Sequence, residues 1–74
     1  MSRNEVQWRC RRSILELDII MHTFFLKFYD LLDKSEKLYF HELLLLEDPE
    51  LAEIVLYQKG DHPLIKKIIQ SQRG

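Results

Sequence analysis

Between Ile14 and Leu31 apolar side chains recur at steps of three, four, three, four and three: Ile14, Leu17, Met21, Phe24, Phe28 and Leu31. On a helix that spacing draws one continuous stripe. Glu16, Thr23, Lys27 and Asp30 fall on the other side, whereas a strand would send Ile19-Ile20 and Phe24-Phe25 to opposite faces. The spacing therefore predicts a long helix from about Ile14 to Leu32. With 74 residues the whole chain, 1–74, is one helical domain, near the lower end of what folds without disulfides or metal.

Stop and start signals divide the remainder. A short helix is expected over Asn4–Arg11. Ser13-Ile14-Leu15-Glu16 has the form of a capping box for the long helix, the Ser13 hydroxyl accepting from the N3 amide and Glu16 reaching back to the Ser13 amide. Asp33-Lys34-Ser35-Glu36 repeats that form before a third helix with Tyr39, Phe40, Leu43, Leu44 and Leu46 inward. Asp48-Pro49 reads as an N-cap and first-turn proline opening a fourth helix. Gly60-Asp61 reads as its end and as the cap of a fifth, whose buried stripe is Leu64, Ile65, Ile68 and Ile69. Short turns force neighbouring helices together, so the expected fold is an all-α five-helix bundle.

Composition narrows the function classes. Apolar residues make up 46% of the chain and the formal net charge is −1, which excludes the disorder signature of low hydrophobicity with high charge. Near-neutrality also argues against a general nucleic-acid binder, although Arg3, Arg9, Arg11 and Arg12 cluster at the start and Glu47, Asp48 and Glu50 in the middle. Cys10 is the single cysteine and cannot form an internal disulfide, which suits a reducing compartment. No signal peptide follows Met1, and the apolar runs fall short of the ~20 residues a membrane span needs. A cytoplasmic protein with no membrane segment is expected.

No catalytic constellation is visible. His22, His41 and His62 lack partners at metal-ligand spacing, and there is no glycine-rich phosphate loop, so neither an enzyme nor a metal site is expected. Cys10 reads as a half-buried helix residue rather than a nucleophile. Trp8 reads equally as a core residue or an interface anchor. Arg12 and Glu16 stand four apart, which suits either an ordinary exposed ion pair or a docking surface at the corner of the first two helices.

The same corner carries a resemblance. Trp8-Arg9-Cys10-Arg11-Arg12-Ser13-Ile14-Leu15-Glu16-Leu17-Asp18, followed by Phe24-Phe25 and Tyr29, Ser35-Glu36-Lys37, Phe40, Leu43-Leu44 and Asp48-Pro49-Glu50-Leu51, resembles the succinate dehydrogenase assembly factor family. The likeness runs in order from Val6 to Leu56, a family-like core of about residues 6–57. It implies a small helical bundle that binds the flavoprotein subunit of succinate dehydrogenase, or of fumarate reductase in some bacteria. It also implies that the bundle promotes covalent attachment of FAD to a histidine of that subunit while holding no FAD tightly itself. The bacterial cytoplasm and a monomer forming a 1:1 complex go with that role. The partner-binding residues implied are Trp8, Arg11, Arg12, Ser13, Glu16 and Asp18, with Arg12 and Glu16 matching the family's Arg-Gly-x-x-Glu motif.

Two positions depart from the pattern. Ser13 stands at the motif glycine, a better N-cap than glycine but a bulkier surface for an approaching partner. Leu51-Ala52-Glu53-Ile54-Val55-Leu56 lacks the Phe and Trp usual there, and Tyr39 or Phe40 is expected to fill the space. The competing readings are a helical protein- or nucleic-acid-binding module, such as an antitoxin-like protein, and a purely structural bundle, for example a homodimer.

Overall fold

A computed structural model describes residues 1–72. Five helices follow one another: α1 (Arg3–Arg9), α2 (Leu15–Phe28), α3 (Lys34–Leu44), α4 (Asp48–Val55) and α5 (Pro63–Ser71), and among the described residues there is no strand. The all-α five-helix expectation holds. Helix α2 is central, packing on both α4 and α5, while α1 and α5 lie against α3. The Cα radius of gyration is 11.0 Å, matching the ~11 Å of a compact chain of this length.

The stripe on α2 lands as the spacing requires through Phe24: Leu17, Met21 and Phe24 are buried, joined by Phe25. It then breaks. Phe28 adopts φ −126°, and Tyr29–Leu31 form a 3₁₀ turn rather than a continuation of the helix. Three residues per turn in place of 3.6 rotate the following side chains. Tyr29 is consequently buried and Leu31 is 77% exposed, although the spacing put Leu31 on the inner face. Tyr29 reaches the His41 ring, its hydroxyl 2.7 Å from Nε2.

The expected capping box forms on α3. Asp33 Oδ1 accepts the Glu36 amide at 2.8 Å and Glu36 Oε1 accepts the Asp33 amide at 3.2 Å. Phe40, Leu43 and Leu44 are buried, while Tyr39 and Leu46 are only partly covered. Phe40 packs with Phe24 and Tyr29, and Tyr39 stacks flat on His62 at 3.7 Å.

The end of α4 differs from expectation. The helix stops at Val55, and Gln58 rather than Gly60 takes the left-handed conformation (φ 55°) that turns the chain away. Gly60 serves a different need: a Cβ there would lie 2.8 Å from Ile54 Cγ2 and 3.2 Å from Ile65 Cγ1, so the backbone passes where no side chain fits. The cap of α5 is His62, not Asp61. Its Nδ1 accepts the Leu64 amide at 3.1 Å, which leaves the ring proton on Nε2. Leu64, Ile65 and Ile68 are buried and Ile69 is partly covered.

Candidate functional site

The corner between α1 and α2 is a short loop, Cys10–Ile14, whose backbone has few regular partners of its own. Two carboxylates from elsewhere supply them. Asp18, one turn into α2, accepts the Arg12 amide at 3.0 Å through Oδ1. Asp48, from the first turn of α4, accepts the Ser13 amide at 2.8 Å and the Ser13 hydroxyl at 2.5 Å on Oδ2, with the Ile14 amide 3.4 Å from the same oxygen.

Arg12 points inward. Its side chain is 8% exposed, and Nη2 donates to the Leu44 carbonyl at 2.5 Å while Nη1 donates to the Leu46 carbonyl at 2.8 Å. Nη1 also meets Asp48 Oδ1 at 3.2 Å. The last carbonyls of a helix have no partner within it and carry its negative dipole end, so a guanidinium there satisfies both needs. Arg12 thus caps α3 and pairs with α4. Its Nε is buried with no acceptor among the described residues.

These contacts correct several expectations. The Ser13–Glu16 capping box does not form: Ile14 holds the cap position of α2, no side chain caps it, and the Ser13 hydroxyl goes to Asp48. The Arg12–Glu16 ion pair is likewise not made, because a carboxylate 36 residues away and the carbonyls of Leu44 and Leu46 outcompete an exposed i, i+4 partner. Asp48 does not act as the cap of α4; Glu47 occupies that position and the Asp48 carboxylate turns sideways to the loop. The Ser13 hydroxyl foremost, then the Ser13 amide, Arg12 and the Ile14 amide, hold the Asp48 carboxyl below the usual carboxylate range despite desolvation.

The implied partner-binding residues sort into two layers. Trp8 is 69% exposed and is not a core residue, and Arg11, Ser13 and Glu16 are also exposed. Arg12 and Asp18 lie beneath them and hold the loop. Asp48 belongs to the same cluster, although the sequence offers it only as the cap of a fourth helix. Read locally it is one of an acidic run before a proline, and no spacing links it to Ser13, 35 positions earlier.

Other reactive side chains are accounted for separately. Cys10 is fully buried at the end of α1, deeper than the half-buried expectation, and burial pushes its thiol pKa up to about 12. His22 lies against the Asp18 carbonyl at 2.9 Å, and burial lowers the pKa of His41 beside Tyr29. No cluster of metal-ligating side chains occurs among the described residues. Three of the four arginines near the start are paired with carboxylates: Arg3 with Asp30, Arg9 with Glu5 and Arg12 with Asp48. Away from the corner, an open groove of about 360 Å³ is lined by Phe24, Phe28, Leu32 and Gln70, with the Glu36–Lys67 ion pair among its walls.

A family profile described as flavinator of succinate dehydrogenase matches residues 4–72. The FAD assembly factor SdhE of Wigglesworthia glossinidia brevipalpis is 39% identical over 70 residues, covering 93% of this chain and 83% of its own. That of Coxiella burnetii is 35% identical over 71 residues, covering 95% and 87%. That of Shewanella oneidensis is 35% identical over 75 residues, covering 100% and 92%. No solved structure matches significantly.

Proposed function

The chain belongs to the flavinator of succinate dehydrogenase family, and on that premise we propose that it promotes covalent attachment of FAD to the flavoprotein subunit of succinate dehydrogenase, or of fumarate reductase. The observation that carries the reading is the match over residues 4–72, which takes in all five helices but for Arg3 and the whole Arg12–Asp18 corner. The chain is an assembly factor and not an enzyme: bond formation belongs to the partner and its flavin, and this bundle contributes by holding the partner in a competent arrangement. It acts as a monomer in the bacterial cytoplasm, binding one flavoprotein and neither membrane nor nucleic acid. In support, no described helix is long and apolar enough to cross a membrane, and pairing of Arg3, Arg9 and Arg12 with carboxylates neutralises most of the arginine cluster at the start. FAD is not held tightly; the groove of about 360 Å³ sits at the small end of ligand sites, which suits side chains better than a dinucleotide.

In this reading Trp8, Arg11, Ser13 and Glu16 meet the partner, while Arg12 and Asp18 support them. The test is in-gel flavin fluorescence of the flavoprotein subunit, expressed in cells lacking their own factor and supplied with this chain or its Ser13→Gly variant. Fluorescence restored by the natural chain is the expected result. Failure of both proteins, each soluble and given a matched partner, would sink the proposal.

A further inference from the structure

Three successive backbone amides, of Arg12, Ser13 and Ile14, turn toward two carboxylates, and Asp48 takes the latter two together with the Ser13 hydroxyl and Arg12 Nη1. Successive N–H groups converging on an anion fix a loop that has no ladder of its own. The consequence reaches Glu16. A serine three residues before a glutamate at a helix start can close a reciprocal box in which the glutamate folds back onto the serine amide. Here the Ser13 amide that the glutamate would take is already given to Asp48, and the Ser13 hydroxyl is turned toward the same carboxylate as a donor. Glu16 is therefore left exposed with no ion pair among the described residues.

Resting on the function proposed above, we propose that Asp48 is the positioning residue of the docking corner: by taking the Ser13 amide it denies Glu16 the donor of the local capping box and keeps Glu16 free to meet the flavoprotein. Asp48 is itself partly covered, its side chain 17% exposed, and it acts through the loop rather than by touching the partner. When the Asp48 carboxylate is lost, Ser13 and Glu16 close onto each other. The glutamate is then withdrawn from the surface although the fold remains.

The test titrates the purified full chain against the purified flavoprotein subunit of succinate dehydrogenase. Asp48→Asn is expected to weaken binding about tenfold or more, the worth of one charge-assisted hydrogen bond. Adding Ser13→Gly to Asp48→Asn removes the box's hydroxyl and is expected to recover part of the affinity, which two merely destabilising changes would never do. Asp33→Asn, which injures the cap of α3 instead, is expected to leave affinity unchanged. Wild-type affinity in folded Asp48→Asn, or a double variant weaker than either single one, overturns the proposal. A second measurement needs no variant: in the natural chain the Ser13 and Ile14 amide resonances are expected to move with the Asp48 carboxyl as pH is lowered, and resonances that stay fixed also overturn it. If the natural chain itself fails to bind the flavoprotein, the function proposed above is what falls, whereas binding by the natural chain with indifference to Asp48→Asn removes only this inference.

Discussion

Arg12 does more for the fold than its place in a motif suggests. Its guanidinium holds the last carbonyl of α3, the Leu46 carbonyl just beyond it and the carboxylate at the start of α4, and its side chain is 8% exposed. Removing one partner of a buried pair leaves the other uncompensated, so Arg12→Ala is expected to cost about 3 kcal/mol. Denaturant unfolding checks this, and loss of flavinylation in that variant would report lost structure. Glu16→Ala, at an exposed position with no partner given, is expected to leave the unfolding midpoint within about 0.5 kcal/mol of the natural chain while lowering flavinylation. Asp48 adds a pH dependence. Its pKa is lowered in the folded state, chiefly by the Ser13 hydroxyl, so its contribution is fully present above the ordinary carboxylate pKa and is lost as pH falls through the lowered value. A shallower acid limb in Asp48→Asn, measured by unfolding at a series of pH values, is the expected result.

At the scale of elements, the connection between α4 and α5 is held by close contacts. Gln58 adopts a left-handed backbone, Gly60 passes against Ile54 and Ile65, and His62 caps α5 with a ring that stacks on Tyr39. Gly60→Ala would push a Cβ to 2.8 Å from the Ile54 methyl, an overpacking expected to cost about 1–3 kcal/mol. A thermal melt checks this, since 1 kcal/mol moves the midpoint of a domain this size by roughly 4–8 °C. An unchanged melting temperature would mean that Ile54 simply rotates away. The α3 start and the α4 end show how far local signals carry. Asp33 and Glu36 meet within one turn, so their box depends on nothing distant. The need for glycine at position 60 depends on where Ile54 and Ile65 come to rest, which a local reading does not contain.

Across the whole molecule, α2 organises the bundle and the corner leading into it carries the proposed contact surface. Trp8, the only tryptophan, is 69% exposed there, which makes it a reporter of docking. Its fluorescence is expected to be readily quenched by acrylamide in the free chain and protected in the flavoprotein complex. Equal quenching in both states would move the interface away from α1.

The sequence by itself determined the all-α class, the five helices, most of the core and the exposed motif residues, because each is written in periodicities and caps a few residues long. Leu17, Met21, Phe24, Phe40 and Ile68 are buried as their spacing demands. Only the tertiary structure decided the roles inside the corner. Ser13 could cap locally with Glu16 or bind a distant carboxylate, and Arg12 could pair with Glu16 or reach the end of α3. Packing α4 beside the α1–α2 loop brings Asp48 within 2.5 Å of the Ser13 hydroxyl and 3.2 Å of Arg12 Nη1. In that partly buried place a charge-assisted bond is worth more than an exposed local one, so the distant partner wins.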